Sequence, residues 1–254
     1  MITTLATAMD LTLWNFTLLA AICLVAGMVR GFSGFALSAM VMASAATMIP
    51  PVELIPICWW LEIAASILMV RGGFQDANKK VAIGLALGSA IGVPLGLALT
   101  VNILPDTSKL VALCAICVLA LLQLGRIRIP GLATNTGLAS AGVGAGIVTG
   151  LAGIGGMMVA LYVLARNAPP REMRASLVLF LFLGSITSFV SLFVFGVMDQ
   201  TAVLRGLVMA IPTAIGVILG KMLFIPAWEK LYKPFCLILL VALAVSGIAR
   251  LMLG

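Results

Sequence analysis

Residues 26–51, AGMVRGFSGFALSAMVMASAATMIPP, align without a gap on residues 145–170, AGIVTGLAGIGGMMVALYVLARNAPP, at an offset of 119. Ala26, Gly27, Val29, Gly31, Gly34, Pro50, Pro51 and Glu53 match Ala145, Gly146, Val148, Gly150, Gly153, Pro169, Pro170 and Glu172, and Ser66 then matches Ser185. At an offset of 124, AIGVPLG (90–96) meets AIGVILG (214–220), Lys109 meets Lys233 and Arg126 meets Arg250. A chain with this internal period is two copies of one unit, here 1–128 and 129–254, and its fold has to bury both in one way.

What the units are made of follows from their polarity. With 63% hydrophobic and 9% charged residues and a mean hydropathy of +1.26, the surface of a soluble globule of this size cannot be furnished. The chain is expected to be an all-α membrane protein, a polytopic helical bundle lying in the lipid bilayer. Hydrophobic runs and breakers mark five segments per copy: 12–29, 33–49, 52–70, 81–101 and 109–125, then 134–150, 153–165, 172–195, 200–222 and 231–252. An odd number of segments sends the second copy in from the opposite side, so two inverted repeats are expected.

The net charge of +7 reads as membrane topology and not as nucleic-acid binding. If loops alternate sides, one side collects Arg30, Arg71, Lys79, Lys80, Arg126, Arg128, Arg166, Arg171, Arg174, Lys221, Lys230 and Lys233. The other side receives Lys109, Arg205 and Arg250. The positive-inside rule then places the larger set in the cytoplasm and both termini outside. The N-terminus MITTLATAMD has no basic region of a cleaved signal and is expected to stay in the mature chain.

Two glycine-rich breaks, GMVRGFSG (27–34) and GIVTGLAGIGG (146–156), separate the first two segments of each copy. Either all segments cross, or each break is the tip of a re-entrant hairpin. A segment of 153–165 spans only about 20 Å, which favours the hairpin. Helices starting at Ser33/Gly34 and at Ala152/Gly153 would aim amide N–H groups and positive dipole ends inward, an arrangement suited to an anion. The residues expected to bind substrate are therefore Arg30, Gly31, Ser33, Gly34, Thr149, Gly150, Gly153, Gly155 and Gly156, with the repeat-matched hydroxyls Ser66 and Ser185. Arg30 stands where the second copy has Thr149; it is either a guanidinium for the anion or a cytoplasmic loop charge. Glu62 lies eleven residues into its segment and is the coupling candidate: a proton acceptor, a partner for Arg30, or a protonated packing residue.

Other residues carry structural readings. Glu53 and Glu172 follow Pro-Pro and read as first-turn caps. Trp59 and Trp60 read as packing or anchoring residues, and Trp228 and Tyr232 as an interface belt. Cys23, Cys58, Cys114, Cys117 and Cys236 lie in apolar runs; the CxxC at 114–117 has no histidine or second CxxC beside it. No metal, no cofactor and no enzyme is expected, since there is no histidine, acidic cluster or nucleophile with a base.

The twice-repeated glycine-rich segment ending in a proline turn, plainest in GIVTGLAGIGGMMVALYVLARNAPPREMRAS (146–176), resembles the sulfite exporter TauE/SafE family of bacterial membrane permeases over essentially the whole chain. The resemblance implies transport of small sulfur-containing or organic anions such as sulfite, sulfoacetate and sulfonates, in the bacterial inner membrane. The first copy departs from it in reading GFSGFALS and in carrying Arg30. The expectation is a permease working by alternating access, with an anion channel or a carboxylate carrier as alternatives. With the cell interior negative, an exported anion gains about 2.3 kcal/mol per charge per 100 mV, so export can run uncoupled and import needs a proton or sodium ion. A homodimer stays open.

Overall fold

The computed structural model describes residues 9–70, 76–127, 131, 134–166, 169–223 and 229–253. Among them run ten helices: α1 Leu13–Ser33, α2 Leu37–Ala45, α3 Pro51–Val70, α4 Lys79–Asn102, α5 Pro105–Leu124, α6 Asn135–Ala152, α7 Gly155–Ala165, α8 Pro170–Val194, α9 Gln200–Met222 and α10 Glu229–Leu253. No strand is found among the described residues. Seven helices, α1, α3, α4, α5, α8, α9 and α10, are long and apolar enough to cross a membrane. Arg71, Arg128, Trp228 and residues 1–8 lie outside the described residues, as do the side chains of Arg171, Arg174, Lys230, Tyr232 and Lys233.

The breaks differ from expectation. Helix α1 continues through GMVRGFS to Ser33, and α6 continues through GIVTGLA to Ala152. Only Gly34–Ala36 and Gly153–Ile154 leave helical geometry. Arg30 therefore sits in the last turn of α1, and α2 and α7 begin at Leu37 and Gly155, not at the 33/34 and 152/153 positions that the glycines suggested. Gly34 and Gly153 close the two helices in left-handed geometry, at φ 81 and 71°, their amides donating to the carbonyls of Arg30 and Thr149. Helices α2 and α7, at 9 and 11 residues, reach only about 13 and 16 Å, half of a hydrocarbon core of about 30 Å.

Ala36 is the alanine that replaces Gly155 in the first copy, and its φ is 77°. A Cβ in that geometry costs about 1–2 kcal/mol. Ala36→Gly is expected to raise the thermal unfolding midpoint of the purified protein, by the equivalent of about 1 kcal/mol after the glycine's greater unfolded-state entropy is offset; an unchanged or lowered midpoint contradicts the strain.

The expected role of the glycines changes too. Gly27 and Gly31 lie in α1 against the backbone of Thr213, Val217 and Gly220 in α9, and Gly216 and Gly220 lie against Leu24 and Met28. Their repeat partners do the same on α4 and α6: a Cβ on Gly92 would stand 2.9 Å from the Gly146 Cα, and Gly96 and Gly150 abut Ile147 and Leu97; Gly88 and Gly142 add a contact of the same kind, 2.9 Å from a Gly88 Cβ to the Gly142 Cα. These are helix-to-helix contacts without side chains between them, the means by which helices associate in lipid when the hydrophobic effect does not drive them together. Residue numbers rise together in both pairs, so α1 runs parallel to α9 and α4 parallel to α6. Next to its glycine row α4 presents Ile83, Leu87, Ile91, Leu95 and Leu99, all exposed, and α9 likewise presents Leu207, Ile211, Ile215 and Met222 away from its own. Four-residue spacing thus puts glycine inward and branched apolar side chains toward lipid.

The two halves are fastened to each other at matched positions. At the start of α3, Glu53 Oε2 lies 2.6 Å from Arg205 Nη1 of α9, and Arg205 Nε donates to the Met9 carbonyl at 2.8 Å. At the other end of the same helices Lys221 Nζ donates to the Leu68 carbonyl, so α3 and α9 are parallel as well. At the start of α8, Glu172 accepts from Nδ2 of Asn78, the residue that caps the start of α4, at 3.2 Å, and Ser176 Oγ accepts from the Asn78 amide. Each glutamate, expected only to complement its own helix start, ties that start to the fourth helix of the other copy.

Candidate functional site

Helix α3 passes through the middle of the molecule, and both breaks close on its centre. A Cβ on Gly153 would stand 3.6 Å from the Cβ of Cys58 and 3.7 Å from that of Ser38, the second residue of α2. Here Ser38 Oγ donates to Glu62 Oε1 at 2.9 Å. Arg30 Nη2 lies 3.1 Å from Glu62 Oε2, close in charge but not aligned as a hydrogen bond, while Arg30 Nη1 donates to the Gly34 carbonyl. Arg30 Nε and Nη2 make no hydrogen bond. The guanidinium is 0% exposed and the carboxylate 16%.

Above this pair a cleft of about 600 Å³, counted to its open mouth, lies between α3, α4, α6 and α8. It runs from Glu62 and Gly153 toward Ile55, Leu97 and Leu192, the end of the bundle at which α3 begins. The walls are mostly apolar, with Trp59, Val93, Phe180 and Leu181 among them. Trp59 is fixed by an Nε1–H bond to the Ser185 carbonyl at 2.8 Å and by ring contacts with Trp60 and Phe189 at 5.0 Å.

Of the residues expected to bind substrate, Thr149, Gly150, Gly153, Gly155 and Ser185 line this cleft together with Glu62. Arg30 stands behind Glu62. Gly31 packs on α9, Ser33 Oγ donates to the Phe35 carbonyl, Gly34 caps α1, Gly156 faces Leu181, and the Ser66 hydroxyl is buried with no partner. The hydroxyls of Thr149 and Ser185 donate to the carbonyls of Ala145 and Phe182 in their own helices, so in this state their single protons are already used. Thr149 Oγ1 occupies the space that a side chain at position 155 would take, so Gly155 is required there by this contact.

A family model, Sulfite exporter TauE/SafE, matches residues 19–247. The chain belongs to this family. No curated protein and no solved structure matches it. The TauE/SafE match covers the breaks, the cleft and the Arg30–Glu62 pair together, and membership makes this a multi-pass membrane protein of a transporter family.

Sequence reasoning missed Ser38, Cys58, Ser89 and Ser188, all on the cleft wall. Ser89 and Ser188 make no hydrogen bond among the described residues, so they are the hydroxyl donors with capacity left for a ligand. One signal was available for Ser89: at the 124-residue offset it falls on Thr213, a hydroxyl on a hydroxyl. Ser188 falls on Met69 at the 119-residue offset, and nothing in the sequence marks it.

Proposed function

We propose that this TauE/SafE member is a secondary transporter of the bacterial inner membrane that moves a small organic anion, with sulfonates foremost, by alternating access between two inverted repeats. The observation that carries the reading is the meeting of two broken helices at the centre of α3, at the foot of a cleft whose walls extend toward the end at which α3 begins. Broken helices at membrane depth are tolerated where they line a wet cavity, and transporters place substrate there. The apolar walls suit a body of carbon, and the hydroxyls and helix starts suit an oxyanion.

Inversion is supported by helix direction. Helix α1 runs with α9 and α3, α6 runs with α4, and eight residues of sequence separate α3 from α4, too few to carry the chain back along a whole spanning helix, so we read α3 and α4 as antiparallel. The re-entrant hairpin reading fits α2 and α7, each too short to cross as a helix. With the eleven basic residues other than the buried Arg30 in the cytoplasm, the end at which α3 begins faces outward and both termini lie outside.

Exchanging the conformations of the two copies produces the other state. Thr149, Ser185 and Ser89, which line the present cleft, give way to Arg30, Ser66 and Thr213 at matched positions. That exchange supplies a role for Ser66, whose buried hydroxyl has no partner now. It also turns the Arg30 position toward the cytoplasm.

Purified protein is expected to be stabilised against heat by benzenesulfonate or ethanesulfonate more than by sulfite, benzoate or propionate, because one end of the ligand needs apolar wall and the other a three-oxygen headgroup. Ser188→Ala is expected to weaken binding about tenfold or more, the loss of one hydrogen bond to a charged group. Equal stabilisation by carboxylates makes the chain a carboxylate carrier, and no response to any anion removes the site. Saturable counterflow in liposomes separates a carrier from a channel.

A further inference from the structure

Resting on the transporter reading, we infer that Glu62 and the transported anion are alternative occupants of Arg30, so that each anion binds together with one proton and a monovalent anion crosses without net charge.

The geometry sets the exchange. Among the described residues Arg30 is the one guanidinium behind the cleft wall, and one carboxylate, Glu62, lines the cleft in front of it, with one oxygen against Nη2 and the other held by Ser38. Two donor atoms of Arg30, Nε and Nη2, have no hydrogen-bond acceptor although the side chain is wholly buried. A buried guanidinium left with unused donors lacks the second oxyanion contact that its fork can take. An anion reaching them beside an ionised Glu62 would put two negative groups on one positive one in a low-dielectric site, which is strongly opposed.

Protonation of Glu62 removes the conflict. A proton from solution forms the O–H bond, the ion pair to Arg30 gives way, and the anion forms the replacement pair. Ser38, which donates to the carboxylate, can accept from the carboxylic acid, so this contact survives with its polarity reversed. Since Ser38 is in the first turn of α2, the proton is reported to the break itself. The second copy has Thr149 and Leu181 at the matched positions, so the exchange exists in one copy alone.

Among the described residues, Glu62 is the one carboxylate beside the cleft. Beside the pair, α1 adds the thiol of Cys23 and α3 that of Cys58. Among the described residues, the cleft-lining side chains of α4, α6 and α8 are hydroxyls and apolar groups, while Arg205 and Lys221 of α9 are engaged at the bundle ends with Glu53 and the Leu68 carbonyl.

Benzenesulfonate is the probe because a sulfonate stays ionised across the whole workable range, so any pH dependence belongs to the protein. Its affinity for the purified full chain is expected to rise about tenfold per unit fall in pH, one proton being taken up with each anion. Binding in weak buffer should take up close to one proton per anion, read with an indicator dye. In Glu62→Gln, binding should lose its pH slope and the proton uptake should vanish. In liposomes, uptake should follow an imposed pH gradient and ignore an imposed potential. Binding with no pH slope and no proton uptake in the unaltered protein overturns the inference and leaves the transporter reading standing. Absence of sulfonate binding at every pH overturns the site itself. Should Glu62→Gln not fold, the proton count on the unaltered protein decides alone.

Discussion

Gly216→Leu is expected to prevent the bundle from assembling. A Cβ at 216 would meet the backbone of α1, 2.9 Å from the Met28 nitrogen and 3.0 Å from the Leu24 carbonyl carbon. Neither neighbour is a side chain that can swing aside, so the helices must part along their length and lose the close contact that Gly27, Gly31 and Gly220 share. Ordinary overpacking costs about 1–3 kcal/mol; parting a glycine-lined pair should exceed the upper end, because packing is what holds helices together in lipid. The expected readout is little or no folded protein in the membrane fraction. Gly144→Ala is the control, since a Cβ there meets only the flexible end of Met158, Cε at 3.3 Å. Normal yield of folded Gly216→Leu would mean that α1 and α9 are not packed as described.

Arg30→Met is expected to abolish sulfonate transport and to destabilise the fold together. Removing one partner of a buried ion pair costs about 3–5 kcal/mol, chiefly because the other charge is stranded. Glu62, largely buried, is then left with Ser38 as its remaining partner. Adding Glu62→Gln to Arg30→Met should cost less than the sum of the two single changes, a coupling of about 1–3 kcal/mol in a double-mutant cycle. It should not restore transport, because the neutral pair offers the anion no charge. Affinity should fall by about a hundredfold, in the range of about 2–5 kcal/mol seen when a desolvated charge partner is truncated. Full transport by Arg30→Met would make Arg30 a structural charge alone. A loss of stability in the double variant equal to the sum of the two single losses would separate Arg30 from Glu62.

Helix positions were largely legible because lipid makes them so. Every backbone polar group must be satisfied within its own segment, and apolar runs of the right length are read directly. The sequence boundaries 200–222 and the helix Gln200–Met222 coincide. The breaks were the exception. Glycine marks both a place where a helix ends and a place where two helices touch, and composition does not tell the uses apart. Of the glycines in GMVRGFSG, Gly34 ends α1, while Gly27 and Gly31 seat it on α9. In the second copy Gly153 ends α6 while Gly146 and Gly150 seat it on α4. An isolated sequence window carries no information about the partner, so the inner glycines were read as part of the break.

The site was half legible for a related reason. Arg30 and Glu62 stand out because a charge in an apolar run is costly and therefore rare. Their pairing, and the order of carboxylate before guanidinium as seen from the cleft, depends on how α1 and α3 rotate against each other. Ser89 and Ser188 carry no such mark, since a serine in a membrane helix is ordinary and can satisfy itself on its own backbone.

By itself, then, the sequence determined a polytopic helical membrane protein with an internal period and two deep charges, because apolar length, repeat offset and scarcity of charge are properties of the chain read in order. Only the tertiary structure decided which glycines end helices, that Glu62 shields Arg30, and which hydroxyls face a common cleft. Those depend on the rotation and separation of helices distant in sequence, and packing between them, not local preference, fixes both.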